Sequence, residues 1–343
     1  KIKFSTNEIN EYINEVGVDI LTFPFQLTLK QFEEADNYGS LIEPLFVDVK
    51  VIYKILKEKD FSNNLFLNST HNRVLKVLNQ AEYLRKKYHV VVANPPYMGS
   101  KGMNLEMINF LKKNYPDFKS DLFSAFVNRN TKLALNNGQL GFMTPFVWMF
   151  ISSYEKLRNY ILNHETITSL VQLEYSGFEG ATVPICIFTL QNNHNHSFKG
   201  SYIKLSNFRG VTNQAPKTLE AIKNPNCEWF YRTSSKELQQ IPGSPIAYWL
   251  TNRVVKIFEE SENLSSIGNS IQGMITGDNN KFLRLWFETS LKRNAFGYES
   301  IENIKKDNKY WIPYNKGGNL RKWYGNNEYL LNWENEGRDL VRS

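Results

Sequence analysis

The stretch HVVVANPPY, residues 89–97, joins a run of apolar residues to an asparagine, two prolines and a tyrosine. The run Val90–Ala93 is short, continuous and rich in β-branched residues, which is typical of a strand buried on both faces of a parallel sheet. In open α/β sheets, ligands bind at the carboxyl ends of such strands. The sequence therefore predicts a binding site at Asn94–Tyr97.

Helix and strand patterns alternate after this stretch. Apolar residues recur at helical spacing from Leu122 to Ala134, and Asn137-Gly138 is predicted to close that helix. Ser152 and Glu155 predict a capping box at the start of the next helix. Further strands are predicted at Gln139–Thr144, Ile167–Glu174 and Pro184–Leu190. The last two have no room for a crossover helix between them, so the sequence predicts a mostly parallel α/β sheet whose last strand is reversed.

The remaining sequence suggests two domains. Before the central stretch, a strand is predicted at Asp19–Leu27, helices at Val47–Leu56 and Leu75–Lys87, and a helical insertion over about 40–88. The polar residues 191–197 predict a boundary near residue 200. The predicted domains are residues 1–200 and residues 201–343, the second a mixed α+β region.

Composition narrows the class of protein. The formal net charge is +7, which favours a polyanionic partner such as nucleic acid. The two cysteines, Cys186 and Cys227, are too few for a zinc module or a disulfide framework, and no metal site is predicted. No apolar run reaches the roughly 20 residues that cross a bilayer, and no signal peptide is evident. We therefore expect a reduced, cytoplasmic protein without a membrane partner.

The residue types at 94–97 suit an aromatic amine as substrate. The exocyclic amine of adenine is a poor nucleophile because its lone pair is delocalised into the ring. Two acceptors against its N–H bonds, the Asn94 side-chain oxygen and the Pro95 carbonyl, would favour a localised lone pair. Pro95 and Pro96 stiffen the loop. Tyr97 offers an aromatic face for a base taken out of the duplex.

Residues 91–97 resemble motif IV of the amino-group methyltransferases that use S-adenosylmethionine. The wider stretch 87–99, together with TGDNNKF at 276–282 and WIPYNKGG at 311–318, resembles the PglX-type adenine-specific DNA methyltransferases of bacteriophage-exclusion systems. The resemblance implies a partial Rossmann-like methyltransferase sheet followed by a target-recognition region. It also implies N6-methylation of adenine in double-stranded DNA, with other phage-defence subunits as partners.

The resemblance implies roles for four further residues. Asp121 and Phe123 match positions that line the cofactor and base pocket, although they also suit a helix start with a core phenylalanine. Phe178 matches an aromatic residue that packs on the flipped base, and a plain hairpin aromatic is the alternative. Asp36 matches an acidic residue that reaches the cofactor adenine, although aspartate also simply starts turns.

One expected feature is missing. Such enzymes hold the methionine end of S-adenosylmethionine on a glycine-rich loop after the first strand, but the only glycines in residues 1–93 are Gly17 and Gly39. A permuted order would use residues 178–182, which are followed by a strand and offer no helix N-terminus. We therefore expect a fragment that starts after the glycine-rich motif and has an incomplete cofactor site.

The C-terminal region interleaves basic and aromatic residues, which suits contacts to a DNA backbone combined with stacking. An ordinary small core with a solvated basic face is the alternative. The basic residues that we expect to bind DNA are Lys305, Lys306, Lys309, Lys316, Arg321 and Lys322.

Two other functions remain open. Protein glutamine-N5 methyltransferases also use Asn-Pro-Pro-Tyr, but they tend to end soon after the sheet, whereas roughly 140 residues follow residue 200 here. A non-catalytic DNA-binding or scaffold subunit is the second alternative. The preferred hypothesis is a site-specific DNA adenine N6-methyltransferase of a phage-defence or restriction-modification system.

Overall fold

The computed structural model describes residues 4–17, 22–45, 49–175, 177, 183–269 and 274–341. The chain divides into two compact units, Lys1–Ser261 and Glu262–Ser343. No described helix combines the length and the hydropathy that crossing a bilayer requires.

The described residues before the sheet are helical. The helices are α1 (Thr6–Val16), α2 (Thr22–Gln31), α3 (Ala35–Tyr38), α4 (Val49–Lys57) and α5 (Leu65–Arg85), with a 3-10 turn at Gly39–Leu41. The two predicted helices in this region are confirmed over their described residues, although α5 begins ten positions before the predicted start at Leu75. Val47 and Asp48 lie outside the described residues. The predicted strand at Asp19–Leu27 is wrong, because its described part lies in α2. The buried residues Phe25, Leu29 and Phe32 recur every three or four positions, as one face of a helix requires.

A six-stranded sheet follows. Its elements are β1 (Tyr88–Ala93), α6 (Leu105–Asn114), α7 (Leu122–Leu133), β2 (Ala134–Pro145), α8 (Glu155–His164), β3 (Thr166–Gln172), β4 (Ile185–Gln191), β5 (Gly200–Lys204), α9 (Val211–Lys223), β6 (Phe230–Thr233), α10 (Ser235–Leu238) and α11 (Asn252–Glu260). The strand order is β1-β2-β4-β3-β5-β6. β1, β2, β3 and β5 run in one direction, while β4 and β6 are reversed. The α/β class and the reversed β4 are therefore confirmed.

Strand β1 is an edge strand with only one face covered, so the prediction that it is buried on both faces is wrong. Val91 and Ala93 pack against the main core, but Val90 and Val92 are 61% and 76% exposed. Among the described residues, β1 pairs with β2 alone. A continuous apolar run identifies the strand, but it does not show which neighbours cover it.

Two predicted helix ends are also wrong. Helix α7 ends at Leu133, and Asn137-Gly138 shape an irregular start of β2, where the pairing with β1 shifts register. Asn137 has a φ of 63°, and a Cβ on Gly138 would lie 2.8 Å from the Leu135 carbonyl oxygen. Ser152 lies in a 3-10 turn, and α8 starts at Glu155 without a side-chain cap.

The main core lies between the sheet and the helices α7 and α8. Its largest buried side chains include those of Phe123, Phe142, Trp148, Phe188 and Tyr202. The sheet continues past the predicted boundary near residue 200, because β5 pairs with β3. The break between the compact units comes later, after Ser261.

The second unit contains a smaller antiparallel sheet of order β7-β9-β8. Its elements are α12 (Leu264–Ile267), α13 (Asn279–Phe282), β7 (Leu283–Leu285), α14 (Ile301–Lys306), β8 (Trp311–Tyr314), β9 (Tyr329–Asn332) and α15 (Arg338–Val341). Phe282, Leu283, Leu331 and Leu340 form its small core.

Candidate active site

The tetrapeptide Asn94–Tyr97 lies directly after β1, at the carboxyl end of the parallel strands. The Asn94 side chain is exposed and Pro95 is buried, while Pro96 is exposed and Tyr97 half-buried. An exposed amide on a loop with a buried proline anchor is free to meet a ligand. The chemistry predicted for Asn94 requires this exposure.

The Tyr97 hydroxyl connects the tetrapeptide to β2. Its single proton is shared between two acceptors, the Asn94 Oδ1 atom, at 3.0 Å, and the Met143 carbonyl oxygen, at 3.1 Å. Burial raises the pKa of Tyr97, and the nearby Cys186 thiol adds to this effect. Tyr97 therefore keeps its proton and orients the Asn94 side chain, a contact that the sequence analysis missed.

Asp121 fixes the residues that follow the tetrapeptide. Its Oδ1 atom accepts hydrogen bonds from the backbone N–H of Met98, at 2.9 Å, and of Phe123, at 3.3 Å. The Leu122 N–H in turn donates to the Met98 carbonyl oxygen, at 3.0 Å. Burial raises the pKa of Asp121, although these backbone donors act in the opposite direction. Asp121 is thus both the N-cap of α7 and the anchor of the loop.

The other residues proposed for cofactor binding differ in accessibility. Phe123 is 0% exposed and packs on the Tyr154 ring, with centroids 5.4 Å apart, which favours the core interpretation. Asp36 is exposed on α3. Its neighbour Asn37 exchanges two amide hydrogen bonds with Asn104, the N-cap of α6. Phe178 lies outside the described residues.

The two glycines before β1 do not form the glycine-rich loop that would hold the methionine end of S-adenosylmethionine. Gly17 closes α1 and Gly39 follows α3, so neither glycine lies between a strand and a helix. The carboxylate of Asp121 already accepts backbone hydrogen bonds. Within the described ranges, no group of three or more His, Cys, Asp or Glu side chains could hold a metal ion.

A buried arginine holds the segment after β2. Arg158 on α8 donates to the carbonyl oxygens of Trp148, at 2.9 Å, Ile151, at 2.7 Å, and Gly243, at 3.0 and 2.8 Å. These contacts join residues 148–151 to residue 243. These bonds could not be predicted from the sequence, because the acceptors are backbone carbonyls and that of Gly243 lies 85 positions away.

The basic residues proposed for DNA binding lie in the second unit. Lys305 forms an ion pair with Glu336 at 2.5 Å, and the Lys309 ammonium donates to the Asn294 carbonyl oxygen at 2.9 Å. Lys316 lies over the Tyr329 ring at 4.9 Å. The three others, Lys306, Arg321 and Lys322, are exposed. The structure thus gives half of this set intramolecular contacts.

The family described as Eco57I restriction-modification methylase matches residues 12–178. The chain is 36% identical over 322 residues to the adenine-specific methyltransferase PglX of Lacticaseibacillus casei (strain Zhang), covering 91% of this chain and 26% of the relative. It is 34% identical over 327 residues to the adenine-specific methyltransferase BrxX of Escherichia coli O9:H4 (strain HS), covering 92% and 26%. The chain thus spans about a quarter of the length of these curated relatives.

A solved structure is similar over part of the chain. It is the methyltransferase subunit of a type I restriction-modification system from Streptococcus thermophilus, with a TM-score of 0.36 and 14% sequence identity. The match covers 54% of this chain and 46% of that one.

Proposed function

We propose, from the premise that this chain belongs to the family of the PglX and BrxX adenine-specific methyltransferases, that it carries the adenine-binding part of a DNA N6-adenine methyltransferase. The observation that carries this proposal is the exposed Asn94 amide at the carboxyl end of β1, oriented by the Tyr97 hydroxyl. The reaction would modify DNA within a phage-defence or restriction-modification system.

The proposed chemistry lies in two fixed acceptors. The Asn94 oxygen has a second lone pair beside the one that accepts from Tyr97, so it can accept one N–H of the adenine amine. The Pro95 carbonyl would accept the other. Withdrawing both hydrogens from the ring plane favours a tetrahedral nitrogen with a localised lone pair. Pro95 is buried and its φ is fixed, so the acceptors need little reorganisation when adenine binds.

The Tyr97 ring would provide the stacking face for the flipped base. It is half-buried and its hydroxyl lies within hydrogen-bond distance of two acceptors, which restricts the position of the ring. We propose Phe178 as the second stacking residue on the family resemblance alone.

The family resemblance implies S-adenosylmethionine as the methyl donor. Of the three residues proposed to contact it, Asp36 has an exposed side chain, whereas Asp121 anchors a loop and Phe123 is buried. We therefore assign only the adenine-facing chemistry to the described residues.

Double-stranded DNA is the proposed substrate. The net charge of +7 supports a polyanionic partner. Lys306, Arg321 and Lys322 are exposed and are the strongest of the proposed backbone contacts in the second unit.

The test measures methyl transfer from labelled S-adenosylmethionine to duplex DNA by the full-length protein, with mass spectrometry to identify N6-methyladenine. Asn94→Ala should abolish methylation, because it removes an acceptor used in the transition state, and should leave DNA binding nearly unchanged. Asn136→Ala is the matched control, because Asn136 is exposed near the opposite end of the sheet. Full activity of Asn94→Ala would refute the assignment, and a methylated protein glutamine as product would favour the alternative substrate.

A further inference from the structure

A half-buried lysine, Lys204, ends strand β5. Its ammonium lies 3.9 Å from the centre of the Trp249 ring. No carboxylate of the described residues forms an ion pair with it. Burial lowers the pKa of Lys204, so the charged form is only partly solvated. An anion that reached this ammonium could therefore form an ion pair with it without displacing a carboxylate of the described residues.

The Trp249 ring is held rigidly under the lysine. It contacts Phe150, with centroids 5.5 Å apart, and Tyr248, at 5.0 Å. The Tyr248 hydroxyl donates to the buried Gln172 side chain at 2.8 Å. A fixed ring attracts the ammonium into one position before any ligand binds, which lowers the cost of ordering the lysine.

Lys204 lies on the same edge of the sheet as the tetrapeptide. Thr144, Cys186, Gln172 and Lys204 are paired across β2, β4, β3 and β5. Asn94 follows Ala93, which pairs with Phe142 two positions before Thr144. Lys204 and Asn94 are therefore separated by four strand spacings, which is about 19 Å along the carboxyl edge.

We infer that Lys204 binds a backbone phosphate of the DNA that presents its adenine to Asn94, and that Trp249 is a positioning residue for the ammonium. This inference rests on the proposed function. Since duplex DNA rises about 3.4 Å per base pair, the contacted phosphate would lie within roughly six base pairs of the target adenine. A phosphodiester fits because it brings one negative charge and several acceptor oxygens to an ammonium that has no carboxylate partner among the described residues.

The test measures binding of fluorescent duplex DNA to the full-length protein over a range of salt concentrations. Lys204→Gln should weaken binding about fivefold to tenfold at low salt and should make the slope of log K against log salt shallower by about 0.9, the loss of one phosphate contact. Lys204→Arg should keep the wild-type slope. Trp249→Leu should weaken binding while the slope stays closer to wild type, and Trp249→Phe should restore part of the affinity.

Lys199→Gln is the matched control. Lys199 immediately precedes β5, at the end of the strand opposite Lys204, and forms an ion pair with Glu237 at 3.2 Å. Lys199→Gln removes the same unit of positive charge as Lys204→Gln. An unchanged slope for Lys204→Gln, or an equal change for Lys199→Gln, would overturn the inference while the Asn94 test could still succeed. A wild-type protein that neither binds nor methylates DNA would overturn the proposed function, and the inference with it. Thermal unfolding of each variant shows whether it has folded.

Discussion

The Tyr97 hydroxyl lies 3.0 Å from the Asn94 side-chain oxygen and 3.1 Å from the Met143 carbonyl oxygen, and it shares its one proton between these two acceptors. One phenol thus ties the proposed catalytic amide to the neighbouring strand. The amide group of an asparagine can rotate by half a turn, which would exchange its oxygen for its nitrogen. The Tyr97 donor selects the orientation in which the oxygen serves as an acceptor.

This contact predicts a role for the hydroxyl that is separate from stacking. Tyr97→Phe keeps the ring and removes the donor, so we expect the methylation rate under saturating DNA to fall about fivefold, equivalent to about 1 kcal/mol. Affinity for DNA should change little. Tyr88→Phe is the control. Tyr88 begins β1, the strand that precedes Asn94, and its hydroxyl donates to the Tyr83 carbonyl oxygen, so this variant also removes one side-chain hydroxyl donor without touching Asn94. Equal rates for Tyr97→Phe and wild type would mean that the hydroxyl does not orient Asn94.

Substitutions of Asp121 can distinguish its role in positioning the loop after Tyr97 from the role of its negative charge. Asp121→Asn retains an acceptor for the Met98 and Phe123 N–H groups, so we expect nearly wild-type activity and stability. Asp121→Ala should destabilise the protein by about 1 kcal/mol, as the loss of an N-cap does, and should also lower methylation because the loop is released. Urea unfolding and single-turnover rates measure the two effects.

Asn104→Ala is the corresponding control, since Asn104 caps α6 by accepting from the Met107 N–H at 2.8 Å. It should cost similar stability, with a smaller loss of activity. If Asp121→Asn were as inactive as Asp121→Ala, the negative charge itself would be needed, as a cofactor contact would require.

Some features followed from local sequence and others did not. The strand before Asn94, the helices α4, α5 and α7 and the reversed β4 could be predicted, because apolar periodicity and connection length are local properties. The exposure of Val90 and Val92 could not, because it depends on which elements cover the sheet.

The candidate site shows the same division. The tetrapeptide could be predicted because a strand followed by Asn-Pro-Pro-Tyr is contiguous. The bond from Tyr97 to Met143, 46 positions away, could not be predicted, because it requires the sheet register. The double role of Asp121 is similar, since its cap is a local pattern but its bond to Met98 is not.

Glu165 predicts a pH dependence of stability. Its side chain is 2% exposed and its Oε2 atom has no hydrogen-bond partner among the described residues, and burial raises its pKa from 4.5 to about 8. The folded state therefore binds more protons than the unfolded state between these values, so the free energy of unfolding falls as pH rises through that window. Below pH 4.5 this contribution no longer changes.

Glu165→Gln removes the titration, so its melting temperature should exceed that of wild type at about pH 9 and approach it at about pH 4. Glu58→Gln, on an exposed residue after α4, controls for a change in net charge. If the melting temperatures of wild type and Glu165→Gln depended on pH in the same way, Glu165 would not titrate in this range.

Arg158 should stabilise the fold through its hydrogen bonds to three backbone carbonyl oxygens. Removing its guanidinium takes a hydrogen-bond donor away from each of the Trp148, Ile151 and Gly243 carbonyl oxygens, so Arg158→Met should lower the free energy of unfolding by about 3 kcal/mol. Arg85→Met, at an exposed position near the end of α5, should change it by less than about 0.5 kcal/mol. Urea unfolding distinguishes them, and equal values would show that water replaces the guanidinium at these carbonyls.

The last prediction concerns the affinity of this chain for the methyl donor, S-adenosylmethionine. A methionine carboxylate and amine need a backbone cradle, and the two glycines before β1, Gly17 and Gly39, serve a helix end and a helix–turn junction instead. We therefore expect residues 1–343 to bind S-adenosylmethionine weakly or not at all in isothermal titration, while the same residues bind duplex DNA. The DNA titration is the control for folding. Low-micromolar donor binding would contradict this expectation, because Asp36 and its neighbours would then form a sufficient cofactor site.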